Sequence, residues 1–282
     1  MAIQEPSRFW IASASLHNDD KSAPPRPDCR SVAIQRKNKL PSPHDEPSPL
    51  FSLTPQEWTA VHLSLLVAGV GTLASLPIGV LVAYALARWR FPGRTLLNII
   101  VHLPLVLPPV VTGYLLLIWL GRRSFIGGVL EQWFGIVFSF RWTGAAVAAG
   151  VMGFPLMVRA IRLSFEAIDR RLEDAAGTLG AAPFFGFLLV SLPLALPGVL
   201  AGALLAFAKA LGEFGATITF VSNIPGETQT ISAAIYGYIQ APDGDLPALR
   251  LMIISVIIAV LALVASELLQ RLASRSQGAA IR

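Results

Sequence analysis

The sequence predicts an all-α membrane protein with about five transmembrane helices, on the evidence of its composition, its apolar runs and its placement of charge. Of its 282 residues, 54% are hydrophobic and only 14% are charged. Soluble domains carry about 25% charged residues, so much of this chain's surface does not face water. The net charge of +5 comes largely from arginines between apolar runs. That placement indicates anionic lipid as the partner and argues against nucleic acid.

Five uncharged runs approach or exceed the roughly 20 residues that cross a bilayer. They are residues 63–87, 95–121, 142–158, 187–208 and 251–266. The run 214–226 is also uncharged, but Asn223, Pro225 and Gly226 interrupt it, which predicts a loop or re-entrant segment and leaves a sixth span open. Tryptophans near the predicted ends support these boundaries, because their rings favour the headgroup region: Trp58, Trp89, Trp119, Trp133 and Trp142.

The basic residues predict an orientation. The first and third connections and the C-terminal tail carry ten arginines: Arg88, Arg90, Arg94, Arg159, Arg162, Arg170, Arg171, Arg271, Arg275 and Arg282. The second and fourth connections carry five basic residues: Arg122, Arg123, Arg141, Lys209 and Arg250. The side richer in Lys and Arg is normally cytoplasmic. We therefore expect the C-terminus inside and the N-terminus outside. Seven basic residues near the N-terminus conflict with this orientation, because they would lie outside: Arg8, Lys21, Arg26, Arg30, Arg36, Lys37 and Lys39.

Residues 1–57 differ from the remainder of the chain. They are rich in Pro, Ser and charge and contain no apolar run, which predicts disorder or a start codon assigned too far upstream. The apolar centre of a signal peptide is missing from this stretch. The expected organisation is thus this extension, a membrane domain over 58–272 and a cytoplasmic tail over 273–282. The single cysteine, Cys29, excludes an intrachain disulfide.

A short polar segment between the third and fourth spans carries the most specific pattern. Ile168, Leu172, Ala175, Ala176 and Leu179 recur at helical spacing, which predicts an amphipathic helix on the cytoplasmic side. Gly180 suits the left-handed residue that ends such a helix, and Pro183 prevents its continuation. From periodicity alone, an ordinary helix lying at the membrane surface is the favoured explanation of the segment.

The register of this segment resembles the cytoplasmic loop of the permeases in binding-protein-dependent ABC importers. That family has Glu-Ala-Ala, three residues, Gly, nine residues and Ile-x-Leu-Pro. Here Asp174-Ala175-Ala176, Gly180 and Val190-Ser191-Leu192-Pro193 stand at the same spacing. Asp174 replaces the usual Glu, although Glu173 is adjacent, and Val190 replaces Ile.

The resemblance implies the type I ABC importer permease fold, with this helix docking on a separate ATPase. The residues it implicates in ATPase coupling are Arg170, Arg171, Leu172, Glu173, Asp174, Ala175, Ala176, Gly180, Leu192 and Pro193. It also implies a homodimer in a bacterial inner membrane, with two ATPase copies that bind ATP and Mg²⁺. A periplasmic binding protein would deliver the cargo.

Three further segments resemble the molybdate branch of this family. They are residues 102–113, 153–162 and 212–228, and the similarity covers about 55–272. Molybdate, with tungstate also accepted, is therefore the implied cargo, and sulfate or thiosulfate is the alternative because those permeases share much of the pattern. A secondary transporter or channel is less favoured, since no inverted repeat is evident.

Several other residues are candidates for the translocation path. Pro104, Pro108 and Pro109 should bend the second span, either to line a path or to pack. Lys209 and Glu213 lie four residues apart and should form an ion pair. A structural pair is favoured over an anion site there, because the Glu213 carboxylate would repel an oxyanion.

Ser222 and Asn223 could donate hydrogen bonds to an oxyanion or could serve the turn at Pro225. The chain has no G-x-x-x-x-G-K-[ST] phosphate loop, and its four histidines lack metal-site spacing. We therefore expect no cofactor in this chain and no enzymatic activity of its own.

Overall fold

The computed structural model describes residues 53–135, 137–180 and 182–280, and all regular structure in this part is helical. The extension predicted for residues 1–57 lies, up to residue 52, outside the described residues. The helices are α1 Pro55–Arg88, α2 Arg94–Val106, α3 Pro109–Leu120, α4 Phe125–Phe134, α5 Trp142–Ala167, α6 Arg170–Thr178, α7 Pro183–Gly186, α8 Leu192–Leu211, α9 Gly215–Val221, α10 Ile231–Ile239 and α11 Asp245–Ala280, with a π-helical turn, Phe187–Ser191, joining α7 to α8.

Four segments of the described chain are long and apolar enough to cross a membrane as continuous helices. They are α1, α5, the helix Phe184–Leu211 and the part Asp245–Ala265 of α11. Each largely contains one of the predicted runs and extends beyond one or both of its ends. The helices exceed the runs because their first and last turns carry polar residues, such as Glu57 at the start of α1 and Glu166 at the end of α5.

The predicted run 95–121 is not one continuous helix. It divides into α2 and α3, whose axes meet at 116° across Leu107 and Pro108. Five spans therefore result only if this bent pair counts as one. Proline explains the break, since Pro108 and Pro109 cannot donate to carbonyls four residues earlier and residues before proline avoid the α conformation. The bend predicted at these prolines is confirmed, and it is large enough to separate two helices.

Helix α5 lies at the centre of the bundle. Two thirds of its apolar window (67%) is buried, compared with 17–33% in the other three spans. Small residues allow this close packing, as is usual between membrane helices. At Gly71 of α1, a Cβ atom would lie 2.5 Å from the Ala146 carbonyl oxygen of α5, and at Gly202 of α8 it would lie 2.9 Å from that of Met157.

The uncharged run 214–226 does not span the membrane. It forms the seven-residue helix α9 and then a loop, and seven residues rise only about 10 Å. The loop or re-entrant segment predicted here is confirmed. Helices α4 and α10 were not predicted, although both begin at recognisable caps. Ser124 accepts a hydrogen bond from Gly127 N (2.9 Å), and Thr230 accepts one from Ala233 N (3.4 Å).

Buried polar contacts fix the start of α1 against α10 and α11. Glu57 closes a capping box with Thr54, and its carboxylate lies 3.0 Å from the Arg250 guanidinium. Ser64 accepts a hydrogen bond from Ile231 N at 2.7 Å. Helices α1 and α11 therefore start at the same end of the bundle and run in the same direction. The C-terminal end of α11 consequently lies at the end that bears Arg88 and α6.

Candidate functional site

Helix α6 lies at the surface of the bundle. All nine of its residues are described, and none of them is buried. Leu172 is 48% exposed, and Leu179, just after the helix, is 88% exposed. Arg170, Arg171 and Asp174 are exposed beside these apolar side chains. A helix that presents leucine, small residues and charge without covering them has the composition of a docking surface.

Both ends of α6 are set by local chemistry. Asp169 begins the helix, where its Oδ1 accepts a hydrogen bond from Arg171 N at 3.0 Å. Gly180 adopts a φ of +86°, so the left-handed ending predicted for it is confirmed. Its backbone turns the chain toward α7, which starts at Pro183. The helix is thus connected to the bundle by two non-helical junctions.

The side chain of Glu173 points back toward the bundle. Its Oε1 lies 3.1 Å from Arg88 Nε at the C-terminus of α1 and accepts a hydrogen bond from Ser191 Oγ at 2.5 Å. Arg88 also donates through Nη2 to the Ile168 carbonyl at 3.0 Å. The Arg88 side chain is 6% exposed and that of Glu173 is 21% exposed. We call Arg88, Glu173, Ser191 and the Ile168 carbonyl the Glu173 cluster.

The Glu173 cluster adjoins an irregular part of the helix Phe184–Leu211. This helix is the fourth span when the bent pair of α2 and α3 counts as the second. Ser191 ends the π-helical turn, in which Leu192 N donates to the Phe187 carbonyl. Pro193 follows Leu192 and has no N–H to donate to the Leu189 carbonyl. The missing hydrogen bond favours a local departure from α geometry. Leu192 packs against the buried core that contains Ile161 and Phe165. Leu192 and Pro193 therefore belong to the base of the span and not to the exposed surface of α6.

Aromatic side chains pack beside this cluster. The Tyr84 ring lies 4.6 Å from that of Phe187 and 5.3 Å from that of Phe165, measured between centroids, and both pairs are edge-to-face. Phe165 is completely buried. Such ring pairs stabilise by about 0.5–1.5 kcal/mol beyond their area of burial. Helices α1, α5 and the π-helical turn are therefore joined by aromatic contacts near the point where Glu173 contacts Arg88 and Ser191.

The predicted ion pair between Lys209 and Glu213 is present at the other end of the fourth span. Lys209 Nζ lies 2.5 Å from Glu213 Oε2, and Glu213 Oε1 accepts a hydrogen bond from Ala216 N at 3.0 Å. Glu213 is 2% exposed. This carboxylate therefore fixes the start of α9 and is neutralised by its partner. The structural interpretation of the pair fits this geometry.

Among the candidate path residues, Pro109 packs against α9, which begins two residues after Glu213. A Cβ atom on Gly215 would lie 2.7 Å from Pro109 Cβ, because α9 packs closely against the start of α3. Pro104 instead lines an apolar groove of about 700 Å³ between α1, α2 and α5. Pro108 is exposed at the bend. The three prolines therefore do not form one site.

Ser222 and Asn223 lie in the loop after α9 and mainly serve its turn. Ser222 ends α9 with a φ of +68°, and its carbonyl accepts a hydrogen bond from Thr228 Oγ1 at 3.1 Å. Asn223 Nδ2 donates to the Ala233 carbonyl at 3.3 Å, whereas its buried Oδ1 has no hydrogen-bond partner among the described residues. In the described part of the chain, no group of three or more His, Cys, Asp or Glu side chains could hold a metal ion.

Sequence reasoning missed Arg88 and Ser191 as members of the site. Arg88 was counted only for orientation, and Ser191 occupies the variable position of Val-x-Leu-Pro. The available signal was the pair of adjacent acids Glu173 and Asp174, because neighbouring helical residues face different directions. The two carboxylates therefore need not face the same neighbour.

Comparison with known proteins agrees with the resemblance carried by the α6 segment. Residues 75–277 match the family model described as binding-protein-dependent transport system inner membrane component. The molybdenum transport system permease protein ModB of Escherichia coli K12 is 57% identical over 226 residues, which cover 80% of this chain and 99% of that protein. ModB of Haemophilus influenzae is 53% identical over 79% of this chain and 97% of its own length. The sulfate transport system permease protein CysT of Salmonella typhimurium is 38% identical over 69% of each chain.

Solved structures share the fold at low sequence identity. A bacterial ABC transporter that imports alginate aligns with a TM-score of 0.60 and 18% identity, covering 87% of this chain and 88% of that one. The methionine transporter MetNI, in an inward-facing conformation, aligns with a TM-score of 0.55 and 18% identity over 77% of this chain and 94% of its own. The all-helical arrangement is therefore that of ABC importer permeases. Together with the family match, it shows that this chain belongs to the family of binding-protein-dependent transport system inner membrane components.

Proposed function

We propose that this chain is the membrane-spanning subunit of an importer for molybdate. The assignment of molybdate as the cargo rests on the 57% identity to a molybdenum transport permease over nearly that protein's whole length. The sulfate permeases are considerably less similar, at 38% identity. Tungstate, which has nearly the same size and charge as molybdate, should also be accepted.

The exposed surface of α6 supports docking of a separate ATPase. Arg170, Arg171 and Asp174 provide groups for charged hydrogen bonds, and Ala175 and Ala176 permit close approach of a groove. The ATPase would bind ATP and Mg²⁺, since this sequence has no phosphate loop. ATP-driven closure of the ATPases would displace α6 and open the spans outward, and hydrolysis would return them inward.

The assembly we infer contains two copies of this chain, two ATPase subunits and a periplasmic molybdate-binding protein in a bacterial inner membrane. The arginine distribution supports a cytoplasmic position for α6, because Arg88, Arg94, Arg162 and Arg170 all lie at its end of the bundle. The C-terminal end of α11 would then be cytoplasmic as well. The loop between α9 and α10 would face the periplasm.

A competition experiment tests the cargo. The permease, its ATPase and its binding protein are reconstituted in proteoliposomes, and uptake of labelled molybdate is measured with unlabelled competitors. About a 100-fold excess of sulfate should lower molybdate uptake by less than about twofold, whereas the same excess of tungstate should abolish it. Selectivity of this kind is expected because tungstate reproduces the size of molybdate and sulfate is smaller.

Two outcomes would contradict the proposal. Efficient competition by sulfate would reassign the chain to the sulfate branch of the family. Molybdate flux in vesicles that contain the permease without the ATPase would instead indicate a secondary transporter or channel. Vesicles that contain the ATPase without ATP serve as the control for leakage.

A further inference from the structure

We propose that Arg88, Glu173 and Ser191 are positioning residues that transmit movement of α6 to the spans, and that Glu173 does not contact the ATPase. The inference rests on the proposed function, in which α6 is the ATPase-docking helix. It divides the two adjacent acids between two roles, with Asp174 facing the partner and Glu173 facing the bundle.

The direction of the two carboxylates is the first observation. Asp174 is exposed, whereas Glu173 is engaged by Arg88 and Ser191 on the bundle side. Successive residues of an α-helix differ in direction by about 100°. A rigid partner on the exposed face of α6 can therefore reach Asp174 without reaching Glu173.

The second observation is how α6 is attached to the bundle. No residue of this fully described helix is buried. Its covalent connections pass through Ile168, with an extended ψ of 129°, and through Gly180, with a φ of +86°. Both junctions are non-helical and can bend. Besides its packing against the π-helical turn and α7, α6 is attached to the bundle by the side-chain contacts of Glu173, and these can carry a push on the helix.

The third observation is which helices the contacts of Glu173 connect to α6. Arg88 ends α1, Ile168 ends α5, and Ser191 lies where the π-helical turn meets α8. The Glu173 cluster thus joins α6 to three of the spans at one point. Those three helices also pack extensively against one another. Displacement of Glu173 would move their ends together and not one at a time.

Arg88 is the buried charge of this connection; its Nε is an ion-pair partner of Glu173 but makes no hydrogen bond within the described part of the chain. Its guanidinium is almost fully buried and is held both by the Glu173 carboxylate and by the Ile168 carbonyl. Removal of one member of a buried ion pair leaves an uncompensated charge, which is strongly destabilising. Removal of both leaves no buried charge. The pair can therefore be tested by comparing single and double variants.

The test uses the complete transporter in proteoliposomes with ATP, molybdate and the binding protein. The variants are Glu173→Gln, Arg88→Gln and the double variant, with Glu166→Gln as the matched control. Glu166 forms an ion pair with Arg162 at 2.8 Å at the same end of the bundle, and both residues belong to α5. Arg162 also donates a hydrogen bond to Asn98 of α2. Three quantities are measured: the amount of ATPase that co-purifies, the thermal midpoint, and the number of ATP molecules hydrolysed for each molybdate imported.

We expect every variant to retain the ATPase. The ratio of ATP hydrolysed to molybdate imported should rise at least about fivefold in Glu173→Gln, in Arg88→Gln and in the double variant, and should remain unchanged in Glu166→Gln. The double variant should recover thermal stability relative to Arg88→Gln or Glu173→Gln without recovering the ratio. A purely structural role would restore the two together.

Three results would overturn the inference. They are loss of the ATPase from Glu173→Gln, an unchanged ratio in the single variants, and recovery of the ratio together with stability in the double variant. Failure of the proposed function is distinguishable, because it would appear in the unmodified transporter as absent molybdate import. Coupled import in the unmodified transporter with unchanged ratios in the variants would overturn only the role of the Glu173 cluster.

Discussion

Asp174→Arg is expected to remove the ATPase from the purified transporter and to reduce molybdate import to background. Asp174 is an exposed carboxylate on α6, beside Arg170 and Arg171. Reversal of its charge would place a cation where the partner surface is arranged for an anion. Like charges opposed across an interface cost several kcal/mol, and about 3 kcal/mol already weakens binding by more than 100-fold. Co-purification from detergent-solubilised membranes measures the loss.

The control for this prediction is Glu131→Arg. Glu131 is an exposed acid on α4, 3.8 Å from Arg122, and an exposed pair of this kind contributes at most about 1 kcal/mol. The same charge reversal there should leave the ATPase bound. Deletion of residues 170–180 should have the same effect as Asp174→Arg. A transporter that retains its ATPase after that deletion would contradict the assignment of α6.

Gly71→Val should clearly destabilise the permease. A Cβ atom at Gly71 would lie 2.5 Å from the Ala146 carbonyl oxygen and 3.1 Å from Gly150 N, and both are backbone atoms of α5. Neither can move aside without separating α1 from the central helix. Overpacking of this kind costs about 1–3 kcal/mol and sometimes more. The fraction of monodisperse protein that remains after heating in detergent, measured by size exclusion, should fall sharply.

Gly69→Val provides the matched control on the same helix. A Cβ atom at Gly69 would meet none of the described atoms within 4 Å. Both variants replace a helical Gly with Val, so the change in helix propensity is the same and the two differ mainly in packing. Equal thermal stability of the two variants would show that α1 and α5 are not as close as the structure has them.

The spans were predictable because a long apolar run has few alternatives in a bilayer. Runs such as 63–87 and 187–208 mark α1 and the fourth span, and polar residues mark their ends. The ending of α6 at Gly180 was also predictable, because a glycine followed by Pro183 leaves few ways to continue. Both predictions rest on local chemistry that acts within one or two helical turns.

The features that were missed depend on contacts between distant parts of the chain. The prolines near residue 108 predicted a bend, but not its size of 116° or the close packing of α3 against α9. Arg88 and Glu173 are 85 residues apart in sequence, and no local pattern pairs them. Helix α4 was missed because its ten residues are too short and too mixed to give a clear apolar run.

The central claim is that α6 lies on the cytoplasmic side, where an ATPase can reach it. Labelling of a single cysteine at Thr178, which is exposed at the end of α6, tests this directly in a Cys29→Ser background. A membrane-impermeant maleimide should label Thr178→Cys in inverted vesicles and not in intact cells. Glu227→Cys, in the exposed loop between α9 and α10, should show the opposite pattern once the outer membrane has been made permeable. Labelling of Thr178→Cys from outside intact cells would contradict the account.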